Sequence, residues 1–155
     1  MAQLKLKMTS PAFESDAVLP PSMTCVGAGE SPPLEWINPP PDARSFALIV
    51  DDPDAPGGTF THWILFDIPG HSLRLPSSAD GVGVNGRNDF QGTNYGAPCP
   101  PPNHGEHRYY FRLFALDVDS LGLGEGATRD EVEAAMEGHV IARDELMGRF
   151  GRKTY

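Results

Sequence analysis

The chain has 155 residues, which is room for one domain of ordinary size and not comfortably for two. Twelve basic against 21 acidic residues leave a formal charge of −9, which argues against a protein that works by neutralising phosphate backbones, so no nucleic-acid partner is expected. With 17 Gly, 16 Pro and 39% hydrophobic residues, the composition favours a core crossed by many turns, that is, a β-rich domain over residues 1–155 rather than a helix bundle or a disordered chain.

Leu4, Leu6 and Met8 alternate with Lys5 and Lys7, the pattern of an edge strand whose outward lysines discourage pairing with another molecule. The same alternation over Met1–Lys7 lacks the continuous apolar core of a signal peptide, and no later stretch is long and apolar enough to span a membrane. A soluble, cytoplasmic protein is expected. From Ser10 to Pro41 three proline clusters limit the chain to turns and short strands, for example around Thr24 or Leu34–Trp36. Phe46–Val50 is an unbroken apolar run, read as a central strand covered on both faces. Phe60–Ile68, rich in aromatic and β-branched residues, is a second strand. Arg108–Leu116 is a third, with His107, Tyr109, Phe111, Leu113 and Ala115 in one phase.

Between the second and third strands, Gly81–His107 holds six glycines and four prolines, too long for a mere connector and of the kind that commonly carries function. Thr128 and Glu131 form a capping box ahead of Val132, Ala135 and Met136, so a short helix starts there and Gly138 stops it. Val140–Met147 fits either a second short helix or a final strand. Two cysteines, Cys25 and Cys99, stay reduced by default inside a cell, with a disulfide between them the lesser alternative.

If the first two long strands form an antiparallel hairpin, Asp52 and His62 share one end of the sheet. A topology that brings strand starts together adds His107 and Tyr109. A carboxylate, two imidazoles and a phenol then lie under a lid formed by Tyr95–Pro101. Imidazolium, phenol O–H and loop N–H groups suit a phosphate or carboxylate ligand, with Asp52 favouring the charged form of a histidine and fixing which nitrogen faces the ligand.

The phrases Asp52-Pro53-Asp54-Ala55-Pro56, Thr61-His62-Trp63, Pro98-Cys99-Pro100-Pro101 and His107-Arg108-Tyr109 resemble the signatures of the phosphatidylethanolamine-binding proteins, in their bacterial and archaeal Raf-kinase-inhibitor-like branch. Ser31–Trp36 and Gly138–Val140 extend the resemblance over nearly the whole chain. It implies an all-β fold with short peripheral helices, a large antiparallel sheet packed on a smaller one. It also implies a small-anion pocket lined by Asp52, His62, Cys99, Pro100, Pro101, His107 and Tyr109. A cis bond at Pro56 is implied in the same way. The expected ligand is phosphate, a phosphoethanolamine-like group or a carboxylate. By resemblance a protein partner such as a kinase or protease is open, as is a homodimer. Ala97, where such proteins often have glycine, and His104, an added titratable group near the mouth, depart from the pattern.

Other readings compete. A lone histidine opening an apolar run is usually a satisfied core residue, and only the joint set argues for a ligand site. His62, His104, His107 and Asp52 are acceptable zinc ligands, but the spacing is against a metal, and no cofactor is expected. A Cys99 nucleophile would lie among prolines without an evident oxyanion hole, so the inert reading is favoured. Asp54 is read as supporting an Asx-type turn. Pro39–Pro41 and Pro98–Pro102 are read as rigid loop segments rather than SH3-type ligands. The expectation is binding without catalysis, the alternative a hydrolase of small phosphoesters or esters with His62 or His107 as base and Asp52 as its orienter.

Overall fold

Phe46–Val50 becomes the middle of β4 (Ser45–Asp52), a strand buried along its whole length, as a run with no polar alternation requires. The computed structural model describes residues 4–79 and 81–152, so Met1–Gln3 of the opening segment lie outside it. Around β4 the chain builds β1 (Lys7–Thr9), β2 (Ala17–Val18), β3 (Leu34–Ile37), β5 (Phe60–Pro69), β6 (Arg74–Leu75), β7 (Val84–Asn85), β8 (His107–Leu116), α1 (Arg129–Met136) and β9 (Val140–Phe150). The larger sheet runs β2-β9-β8-β4-β5-β7 and the smaller β1-β3-β6. Only the β2–β9 pairing is parallel among the described strands. The expected all-β architecture of a large sheet on a smaller one is the observed one.

Side chains of β4 alternate between two apolar clusters. Phe46, Leu48 and Val50 face the smaller sheet and meet Met8, Trp36, Trp63, Phe111 and Leu113. Ala47 and Ile49 face the other way, where Ile64, Phe66, Val132 and Met136 bring α1 onto the sheet. β1 is an edge strand, with Leu6 and Met8 inward and Lys5 and Lys7 outward, as the alternation requires.

The helix begins at the capping box: Thr128 takes the Glu131 N–H and the Glu131 carboxylate takes the Thr128 N–H. Gly138, at φ 82°, turns the chain out of α1. The segment left open between helix and strand is β9, which pairs with β8 along nearly its whole length. Its inward positions Leu146, Gly148 and Phe150 are spaced by two. Three expectations are corrected. Thr24 follows a 3-10 turn, Pro21–Met23, rather than lying in a strand, because Pro20 and Pro21 fix the backbone there. No cis peptide occurs among the described residues, so Pro56 is trans. Cys25 and Cys99 are joined in a disulfide, their Cα atoms 5.3 Å apart. The Cys25 N–H donates to the Pro98 carbonyl at 3.1 Å, so the lid loop and the segment after Pro21 run side by side. With both cysteines bonded, free thiols no longer point to a reducing compartment. No helix among the described residues is long and apolar enough to cross a membrane.

Candidate functional site

The register of the larger sheet gathers the site. Asp52 ends β4 opposite Phe60 at the start of β5, and Asp51 pairs with Tyr110 near the start of β8. One strand end and two strand starts therefore meet at one edge. Between Val50↔Trp63 and Asp51↔Thr61 the β4–β5 register slips, leaving His62 as the extra residue of a β-bulge. A bulge re-aims the side chain it carries. Here the imidazole turns toward the lid, where its Nδ1–H donates to the Gly96 carbonyl at 2.8 Å while the His62 carbonyl accepts the Gly96 N–H at 2.8 Å. A Cβ at position 96 would collide with the Phe90 ring and crowd the His62 carbonyl, so glycine lets the lid approach.

All seven expected site residues, Asp52, His62, Cys99, Pro100, Pro101, His107 and Tyr109, line a single cavity of about 180 Å³. Phe60, Phe90, Ala55 and Pro56 complete the wall. Phe60 was legible, since it shares the His62 side of β5 at a spacing of two. Phe90 sits in a loop without periodicity and gave no signal, although its ring meets that of Phe60 edge-on at 4.7 Å.

Asp52 joins the parts. Its Oδ1 accepts the Asp54 N–H at 2.8 Å, so the Asx turn is made by Asp52, and the reading that gave it to Asp54 is corrected. Asp54 instead grips Arg108, accepting from the guanidinium at 2.8 and 2.9 Å, and Arg108 holds its carboxyl down at about 2. The other Asp52 oxygen accepts from His107 Nδ1 at 2.6 Å. A carboxylate only accepts, so in the neutral ring His107 Nε2 is an acceptor, and His104 Nδ1 donates to it at 2.7 Å. His104, flagged by its departure from the pattern, thus competes with any ligand for that nitrogen. Ala97 does not line the cavity; it packs toward Gly29.

The electrostatics follow from burial. Desolvation holds the His62 imidazole below the usual histidine range, against the opposing Gly96 hydrogen bond and Asp52 charge. The neutral ring with Nδ1–H engaged leaves Nε2 as an unprotonated acceptor on the cavity. Burial, with the Asp52 charge beside it, pushes the Tyr109 phenol up, so its proton stays on. Cys99 contributes a disulfide sulfur rather than a thiol, which leaves no thiolate to act as nucleophile.

A family model described as phosphatidylethanolamine-binding protein matches residues 9–151. The chain belongs to the phosphatidylethanolamine-binding protein family. A UPF0098 protein of Aquifex aeolicus is 43% identical over 152 residues, covering 95% of this chain and 89% of its own. One from Methanothermobacter thermautotrophicus is 42% identical, covering 95% and 99%. Among solved structures, the phosphatidylethanolamine-binding protein homologue CT736 of Chlamydia trachomatis superposes with a TM-score of 0.91 at 38% identity, covering 96% of this chain and 99% of that one. E. coli YbcL, described as a member of the mammalian family, gives 0.90 at 29% identity, covering 97% and 100%. Both of these bacterial structures share the overall architecture of this chain.

Proposed function

We propose that this family member binds a small phosphate-like anion in the Asp52–His62–Tyr109 cavity, without breaking a bond in it. The observation that supports this most is the convergence of four buried polar side chains from three strands on one small cavity between proline and phenylalanine walls. His62 anchors the anion by taking up a proton on Nε2, since Nδ1 already faces the Gly96 carbonyl. Tyr109 presents its phenol beside it, and the Asp52–His107 pair fixes the back wall.

The sign of the pH dependence follows. Free His62 is held neutral, and an anion against Nε2 raises its proton affinity, so binding takes up a proton and tightens as pH falls. The dependence ends below the free-protein pKa of His62, where the ring is already charged. Calorimetric titration of inorganic phosphate from about pH 8 to about pH 5.5, in buffers of different ionisation heat, checks both affinity and proton uptake. A flat profile, or binding without proton uptake, sinks the reading, whereas His62→Gln is expected to flatten a sloping one. Incubation with a panel of phosphoesters and esters addresses the hydrolase alternative, for which His62-dependent turnover would speak.

A further inference from the structure

On the reading that the cavity holds a phosphate-like anion, its walls lack a fixed positive charge. His62 is neutral until it binds, His107 turns its two nitrogens to Asp52 and His104, and Arg108 is held by both oxygens of Asp54. Arg152, just beyond β9, differs from all of these. Its Nε donates to the Pro100 carbonyl at 2.6 Å, and its own carbonyl accepts the Asn103 N–H at 2.9 Å, so the chain after β9 is stitched to the lip of the lid. Pro100 is part of the cavity wall. The Arg152 charge is felt inside, where it favours ionisation of the Tyr109 phenol against the stronger opposing effects of burial and Asp52.

The terminal nitrogens of Arg152 have no carboxylate partner and no hydrogen bond among the described residues. With Nε holding it to the lip, the planar guanidinium is oriented before a ligand arrives, and its remaining N–H groups form the fork that matches two phosphate oxygens. We propose that Arg152 is the charge-selecting residue of this site: it clamps the oxyanion at the mouth while its Nε keeps the lid in place. The ligand class narrows accordingly to groups that still offer two charged oxygens to the fork after His62 has taken one: a phosphate monoester, with three such oxygens, before a carboxylate, with two.

The test measures inorganic phosphate and acetate binding to the full chain by calorimetry at two ionic strengths, for wild type, Arg152→Gln and Arg152→Lys. Loss of a charge-assisted pair predicts about 10- to 100-fold weaker phosphate binding in Arg152→Gln, a smaller loss for acetate and a shallower salt dependence. Arg152→Lys retains the charge without the fork, so it keeps the salt dependence and loses affinity several-fold, about 3- to 10-fold. Unchanged phosphate affinity in Arg152→Gln overturns the proposal. So does an equal loss for both ligands with the salt dependence intact, which is the signature of a lid fastener alone. Failure of wild type to bind phosphate is a separate result that removes the anion-binding reading itself.

Discussion

Asp51 and Asp52 are neighbours in β4, equally buried, and face opposite sides of the sheet. Asp51 meets two arginines: Arg112 from β8 at 3.1 Å and Arg129 from the first turn of α1 at 2.9 Å. Arg129 also donates to Thr61 at 3.0 Å, tying the helix to β5. Asp52 meets His107 and lies beside the Tyr109 phenol. The acid and its depth are the same, and the partners differ. Guanidinium carries its charge at every ordinary pH, so the Asp51 side is a fixed joint between sheet and helix. Imidazole offers two ring nitrogens, one turned to Asp52 and the other to His104, so the Asp52 side is a hydrogen-bonded chain along the cavity wall rather than a fixed joint.

Three perturbations would sharpen or break that contrast. The largest effect is expected from reducing the disulfide, which closes a separation of 74 residues and on chain-entropy grounds is worth about 4 kcal/mol. Urea unfolding with and without a phosphine reductant measures it. A loss under about 1 kcal/mol would mean that the lid is held by its hydrogen bonds alone. Next is Asp51→Asn, expected to cost about 3 kcal/mol because two arginines lose a buried partner, with phosphate affinity within about twofold of wild type. Asp52→Asn should show the reverse: a smaller stability loss of about 1–2 kcal/mol, since the amide still accepts the Asp54 N–H, and phosphate binding weaker by about tenfold as His107 loses its orienting charge. Were the two variants to behave alike in both measurements, the division into joint and site would be wrong.

Much of this was legible in the sequence, and the remainder has identifiable causes. β4, β5 and β8 announce themselves through continuous or phased apolar runs, and the capping box marks α1 to the residue. Asp52, His62, His107 and Tyr109 were gathered from their places at strand ends, whereas Cys99, Pro100 and Pro101 entered only through the resemblance carried by Pro98–Pro101 and His107–Tyr109. β9 was ambiguous because Leu146 and Met147 are adjacent, hiding the period of two that tertiary pairing reveals. The bulge at His62 has no sequence mark, since it exists only as a mismatch between two strands. Arg152 was invisible for a similar reason: an arginine after a strand is ordinary until a lid carbonyl is found beside it. The disulfide was underweighted because cysteine number alone does not show that two loops run side by side.

The parallel pairing of β2 with β9 carries a consequence for how the molecule comes into being. Ala17 and Val18 find their ladder partners only in Gly148 and Arg149, near the opposite end of the described chain. During synthesis the early segment therefore waits, unpaired, until β9 has left the ribosome. Truncated nascent chains ending before β9 would leave the edge of β8 unpaired and lack the Arg152 stitch. On the anion-binding proposal, phosphate binding should appear only once β9 and Arg152 have been translated.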